Sequence, residues 1–209
     1  MIETPRLKLV PASIPMARAE IGDRAEFARL LGATVPDNWP PETLADALHL
    51  FLEWLGAAPT AVGWFGWYAL ADIDGTPTLV ASGGFMGPPQ SGTAQTGYCV
   101  LPQYQKRGYA TELLGGLANW ALSQPDVRRV AADTEWDNPA SVRVLEKAGF
   151  ALVGPTGEPG GRRFEYRGRV TAGCHSTSHT TTLPVAVPAA AVMPSGATAK
   201  QVIAPAFQS

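Results

Sequence analysis

Cysteine is nearly missing: only Cys99 and Cys174 occur among 209 residues. A disulfide framework is therefore excluded, and stability must come from an apolar core. Charge is scarce as well, at 16% of residues, with 16 basic against 18 acidic side chains and a net charge of −2. That balance lacks the basic surplus expected of a nucleic-acid or anionic-membrane binder, so neither partner is expected. No apolar run approaches the ~20 residues of a membrane span; the longest, residues 61–71, is interrupted by glycines. The opening Met1-Ile2-Glu3-Thr4-Pro5-Arg6 lacks a basic flank, apolar block and small-residue cleavage site, so no secretory signal is read there. Neither G-x-x-x-x-G-K-[ST] nor G-x-G-x-x-G occurs, which argues against a P-loop nucleotide enzyme or a dinucleotide oxidoreductase. These absences leave a soluble, cytoplasmic globular protein as the expectation. What is abundant is apolar material, 45% of the chain, enough for a sizeable core without a metal.

Composition changes near residue 168. Residues 1–167 carry 14 of the 16 basic residues and all 18 acidic ones, while Arg169 and Lys200 are the sole full charges beyond. The chain thus divides into a domain, 1–167, and an Ala/Thr/Pro-rich extension, 168–209. In that extension Cys174, His175 and His179 have the side-chain types of a metal site. They offer three ligands at most, without a helix to space them, and no metal is expected. Residues 183–193 are apolar but broken by Pro184 and Pro188, which reads as extended chain. Such an arm would cover its own domain or a partner subunit, the latter giving a homodimer through the extension.

Within the domain, Arg6-Leu7-Lys8-Leu9-Val10 alternates like a half-buried strand. Helical spacing of Ala17, Ile21, Ala25, Ala28 and Leu31 predicts one helix over 17–31 stopped by Gly32, and a second is predicted from Pro41 to Gly56. Strands are predicted over 67–73, 78–85, 93–101, 127–134, 150–153 and 162–166, and helices over 109–122 and 139–148. This order gives an α+β fold with a mixed sheet.

The segment Tyr98-Cys99-Val100-Leu101-Pro102-Gln103-Tyr104-Gln105-Lys106-Arg107-Gly108-Tyr109-Ala110-Thr111-Glu112 carries the chemistry. A strand enters a glycine-containing loop that opens directly into a helix. Such a junction aims free backbone N–H groups at one point, reinforced by the helix dipole. Gly108 permits close approach and unusual dihedrals, and Lys106 and Arg107 add positive charge. A phosphate or pyrophosphate suits the place; an ordinary glycine turn would look the same in isolation.

The loop is not isolated. Gln105-Lys106-Arg107-Gly108-Tyr109-Ala110 resembles the Q/R-x-x-G-x-G/A phosphate loop of the GNAT superfamily of acetyl-CoA-dependent N-acetyltransferases. Farther on, Asn138-Pro139-Ala140-Ser141 through Gly149-Phe150 resembles that superfamily's second signature. G-Y-A-T-E followed by N-x-A-S-x-x-V-L-E-K-A-G-F is similar to the Rim-like branch, the ribosomal-protein N-terminal acetyltransferases. The resemblance implies the GNAT fold, a mostly antiparallel mixed sheet flanked by helices and splayed between its fourth and fifth strands. It also implies acetyl-CoA as co-substrate and a small-molecule or peptide amine as acceptor.

On that resemblance, residues 105–111 (Gln105, Lys106, Arg107, Gly108, Tyr109, Ala110, Thr111) would hold the pyrophosphate. Val100 and Leu101 would pair with the pantetheine arm as an added strand, and a backbone N–H near Val100 would polarise the thioester carbonyl. Asn138, ahead of Pro139, is a natural helix N-cap and also a candidate contact to pantetheine.

Two positions depart from the wider superfamily. Where many members have a tyrosine acid seven residues after the asparagine, this chain has Leu145. Ser141 lies on the same helical stripe and is the substitute candidate, although a serine there also serves its own helix start. Where relatives often have a glutamate, this chain has Gln95, which cannot act as a base. An α-amine, with pKa near ~8 against ~10.4 for lysine, needs less help to lose its proton, which favours a low-pKa acceptor. A water or a carboxylate such as Glu135 is the candidate base. Trp39, Trp64, Trp67 and Trp136 are candidates for an acceptor wall, one of them facing substrate. Cys99 reads as a buried inert thiol, not a nucleophile. A CoA-binding sensor that has lost catalysis is the alternative reading.

Overall fold

A computed structural model describes residues 1–168; residues 169–209, with the expected arm, Cys174, His175 and His179, lie outside the described residues. Among the described residues, eight strands form one sheet in the order β1-β2-β3-β4-β5-β6-β8-β7. They are β1 (Ile2–Glu3), β2 (Leu7–Pro11), β3 (Gly66–Ile73), β4 (Thr76–Phe85), β5 (Thr93–Val100), β6 (Arg129–Glu135), β7 (Ala151–Pro155) and β8 (Gly161–Tyr166). Every neighbouring pair is antiparallel except β5 with β6, which is parallel.

Helices cover both faces. On one face α5 (Tyr109–Leu122) and α6 (Pro139–Lys147) close a core that contains Leu9, Trp67, Val80, Leu113, Leu117 and Phe164. The other face carries α1 (Ile14–Gly22), α2 (Arg24–Leu31), α3 (Glu42–Ala45) and α4 (Leu48–Ala57), over a core with Phe27, Trp54, Leu55, Tyr68 and Leu79. Strand alternation divides neighbours between the faces: Trp67 points to α5 while Tyr68 points to α1. Burying one leucine such as Leu113 or Leu117 contributes roughly 1.5–3 kcal/mol.

The single helix predicted over 17–31 is two. Asp23 ends α1 in an extended conformation, and its carboxylate caps α2 by accepting from the Glu26 N–H at 3.0 Å. A cap that satisfies an orphan N–H outweighs continuing the apolar periodicity. The helix predicted from Pro41 to Gly56 is likewise divided into α3 and α4, between Ala45 and Leu48.

The splay predicted between the fourth and fifth strands falls between β5 and β6, because β1 adds a strand ahead of those read from the sequence. β5 and β6 pair only through Thr93, Ala94 and Gln95, opposite Arg129, Val130 and Ala131. Beyond Gln95, β5 stays with β4 and β6 stays with β8. The crotch is tied at its apex: Gln95 Nε2 donates to Asp133 Oδ2 at 3.1 Å, and Arg163 grips the same carboxylate through two bonds of 2.8 Å.

Candidate active site

The β5 edge that faces the splay is open. Leu101 N–H donates to Val80 O at 3.0 Å and Met86 N–H to Gln95 O at 3.0 Å, which defines the hydrogen-bonded pairs of the β4–β5 ladder. Antiparallel pairs alternate, so Tyr98 and Val100, opposite Gly83 and Ala81, direct their backbone groups away from β4 and into the splay. Val100 O accepts from Gln105 Nε2 at 3.1 Å, which braces the loop against the strand end. Leu101, by contrast, has given its N–H to β4 and is fully buried.

After a 3-10 turn at Pro102–Tyr104, the chain enters two left-handed residues, Lys106 (φ 59°) and Gly108 (φ 84°), the latter capping α5. The backbone N–H groups of residues 106–111 have no acceptor among the described residues; the first intrahelical donor is Glu112, to Gly108 O. Adjacent amides of this kind form an anion cradle at a helix start. Lys106 and Arg107 are exposed beside it, and Tyr109 is buried. Arg6, from the turn before β2, locks the cradle: its NH1 donates to Arg107 O at 2.8 Å and its guanidinium covers the Tyr109 ring at 5.1 Å. Nothing in the sequence reading singled out Arg6.

Across the splay, Asn138 caps α6 by accepting from Ser141 N–H at 3.0 Å. Tyr98 reaches from β5 to α6, where its hydroxyl donates to Ser141 Oγ at 3.4 Å. Burial raises the Tyr98 phenol above its ordinary value near 10, against the Ser141 hydrogen bond. Leu145 is buried in the core on the α5 face. Glu135 ends β6 exposed, opposite Gly161, and is not among the residues lining the cavity below.

On the α1 face of β3–β5 lies a cavity walled by Ala12, Leu48, Phe51, Leu55 and Phe65, with Gly97, Tyr98 and Cys99 of β5 at its floor. One carboxylate lines it, Glu20 of α1, on the same helical stripe as Ala17. Tyr68 OH donates to Glu20 Oε2 at 2.5 Å and Trp39 Nε1 to Oε1 at 2.8 Å. Burial pushes the Glu20 carboxyl up to about 7, further than those two bonds lower it. The Cys99 thiol is pushed up by burial to about 12, as suits an inert thiol. Of the four candidate wall tryptophans, Trp39 braces Glu20; Trp64 and Trp67 pack with Trp120; Trp136 is exposed beneath the Arg162 guanidinium. Glu20 was missed because its partners sit 48 and 19 residues away.

The sequence profile of the acetyltransferase (GNAT) domain matches residues 9–151. The chain belongs to the GNAT acetyltransferase family. An uncharacterised N-acetyltransferase of Bacillus subtilis, YjdG, is 31% identical over 153 residues, 73% of this chain and 90% of the relative. Solved structures share the fold. The microcin C7 self-immunity acetyltransferase MccE, in complex with acetyl-CoA and AMP, has a TM-score of 0.54 at 15% identity, covering 78% of this chain and 93% of that one. A spermidine N-acetyltransferase chimera of Vibrio cholerae SpeG and hSSAT gives 0.53 at 13% identity, covering 77% and 94%. This GNAT protein is accordingly an acyltransferase that uses acetyl-CoA. No helix among the described residues is long and apolar enough to cross a membrane.

Proposed function

We propose that this acetyltransferase moves the acetyl group of acetyl-CoA to a primary amine, and that it stands with the Rim-like enzymes. The observation that carries this reading is the pair of unfilled backbone surfaces at one junction: the cradle of residues 106–111 and the splay-facing edge of β5. Residues present fit the donor, since unpartnered amides at a helix start suit a diphosphate and an open strand edge suits an extended amide arm. Acetyl-CoA supplies an activated thioester there.

The chain's own groups divide the work. Lys106, Arg107, Gly108, Tyr109, Ala110 and Thr111 bind the diphosphate, with Gln105 bracing the loop on Val100 O and Arg6 holding it in shape. Val100 offers its N–H to a carbonyl oxygen, which stabilises charge developing on it. Asn138 orients α6 and adds a polar contact to the donor's arm. Ser141 Oγ holds a proton at the mouth of the splay, and Tyr98, kept protonated by burial, resupplies it. Membership of the Rim-like branch is supported by Gly108-Tyr109-Ala110-Thr111-Glu112 and by serine at 141 with leucine at 145.

The test is a panel of primary amines with acetyl-CoA, following thiol release alongside calorimetric CoA binding. Turnover of at least one primary amine is the expected result. CoA binding with no thiol release for any acceptor would make the protein a sensor instead.

A further inference from the structure

The amine-acetyltransferase reading leaves the acceptor undefined, and the cavity beneath β5 defines it. Its walls are aliphatic and aromatic: Leu48, Phe51 and Leu55 from α4 and Phe65 ahead of β3. Its floor is the stretch of β5, Gly97 to Cys99, whose free edge faces the splay. A cavity against that strand gives an incoming nucleophile a place beside the open edge. One carboxylate points into it, held by hydrogen bonds to both oxygens from Tyr68 and Trp39.

We infer that Glu20 is the acceptor-site carboxylate: it binds the ammonium of the incoming substrate, takes one proton from it, and thereby selects a primary amine carried on an apolar body. This rests on the amine-acetyltransferase reading. The proton step balances simply. The ammonium N–H bond breaks, its electron pair stays on nitrogen as the nucleophilic lone pair, and the proton forms a bond to a Glu20 oxygen. Nitrogen then bonds to the acetyl carbon as the carbon–sulfur bond breaks and the sulfur leaves with that electron pair; nitrogen sheds its second proton as the amide forms, the leaving sulfur takes one up, and the products are a neutral amide and a thiol.

Three features support the assignment over a purely structural role. Tyr68 and Trp39 are neutral donors, so the carboxylate has hydrogen bonds but no cationic partner among the described residues. A buried carboxylate left without a counter-charge is costly, and an ammonium ligand removes that cost. The carboxyl is raised to about 7, close to working pH, as a proton acceptor should be. The groups facing it are Tyr68 from β3, Trp39 ahead of α3 and Cys99 from β5, and burial keeps both the phenol and the thiol neutral. Glu20 is thus the cavity's charge-bearing group. An acceptor with several ammonium groups would leave the others against Leu48, Phe51 and Phe65 without partners. A polyamine or an aminoglycoside is therefore a poor fit, and an arylalkyl or alkyl monoamine a good one.

The experiment compares the full chain with Glu20→Gln, using 2-phenylethylamine, hexylamine and spermidine. For the wild type, kcat/KM for 2-phenylethylamine should exceed that for spermidine at least tenfold and rise with pH through a step near 7. Glu20→Gln should lower it at least a hundredfold and remove the step, with acetyl-CoA affinity by calorimetry unchanged. It should also change stability against pH. A carboxyl raised on folding makes the wild type less stable as pH climbs from about 4.5 to about 7, and the variant should lose that slope.

Carboxyl NMR of the unaltered protein covers the case in which the variant fails to fold. Adding 2-phenylethylamine should move the high-pKa carboxyl resonance, and an unmoved resonance overturns the inference. So does a preference for spermidine, or a variant within threefold of wild type with the same pH profile. Failure of the underlying reading looks different, since then no amine releases thiol although 2-phenylethylamine still perturbs the carboxyl.

Discussion

Glu112 and Arg6, 106 positions apart, meet in a double contact at the start of α5. Arg6 donates from its backbone N–H to Glu112 Oε1 at 2.7 Å and from Nε to Oε2 at 2.8 Å, while Thr4 Oγ1 adds a third bond of 2.6 Å. The same guanidinium holds Arg107 O. A residue before β2 therefore sets the shape of the loop that leads into α5.

Arg6→Ala should weaken acetyl-CoA binding about tenfold, read as Kd by calorimetry. It removes a charge-assisted contact worth roughly 1.5–3 kcal/mol, part of which goes into loop disorder. The melting temperature should fall by a few degrees. An unchanged Kd would mean the cradle holds its shape unaided.

Glu112 also marks the acid side of the stability curve. Burial raises its carboxyl, but the bonds from Thr4 and Arg6 and the Arg6 charge outweigh burial and leave it below the usual 4.5. A depressed carboxyl binds its proton less readily folded than unfolded. Its stabilisation is present in full above about 4.5 and drains away as pH falls through the lowered folded value. Glu112→Gln should be less stable than wild type at pH 7 and converge with it as pH falls below the lowered folded value, by chemical denaturation at each pH.

The cradle was legible in the chain because every cause of it is local: a strand, a glycine in the left-handed region and a helix start occupy consecutive positions. The clamp was not, since Arg6 and Thr4 meet Glu112 only once β2 lies beside α5. Glu20 is hidden for the same reason; a lone acid on an alanine-rich helix face gives no sign of Tyr68. Asp23 could have been read. Gly22-Asp23 with Glu26 three places on is a helix stop followed by a capping pattern, yet the apolar spacing across it suggested continuity. Tyr98 alternates like any strand residue, and its meeting with Ser141 depends on how far β6 departs.

Gln95→Glu would restore the acid that relatives often carry, yet activity should not rise. The side chain at 95 is tied to Asp133 at the apex of the splay, away from the cavity that Glu20 lines. A second carboxylate beside Asp133 would compete for Arg163 and repel its neighbour. Expected are a lower melting temperature and kcat/KM no greater than wild type. A clear gain in kcat would place the base at 95 after all.

Tyr98→Phe and Ser141→Ala should each reduce kcat by about 10- to 100-fold, the range of a single proton donor, with little change in acetyl-CoA affinity. If Tyr98 resupplies Ser141, removing both should cost hardly more than removing Ser141 alone, because the two act as one path. Multiplying losses would show two independent donors.

Gly108→Ala tests whether the cradle depends on backbone shape or on charge. Gly108 sits at φ 84°, where a Cβ costs about 1–2 kcal/mol, and that Cβ would stand 3.1 Å from Arg6 NH2. The substitution therefore strains the turn and presses on the guanidinium that anchors Arg107 O. Acetyl-CoA affinity should fall further than for Arg6→Ala, while Lys106 and Arg107 keep their charges. In the double variant the losses should combine less than multiplicatively, since displacing Arg6 is part of what Gly108→Ala already does. Full multiplication would mean that Arg6 steadies α5 through Glu112 alone and has no hold on the loop.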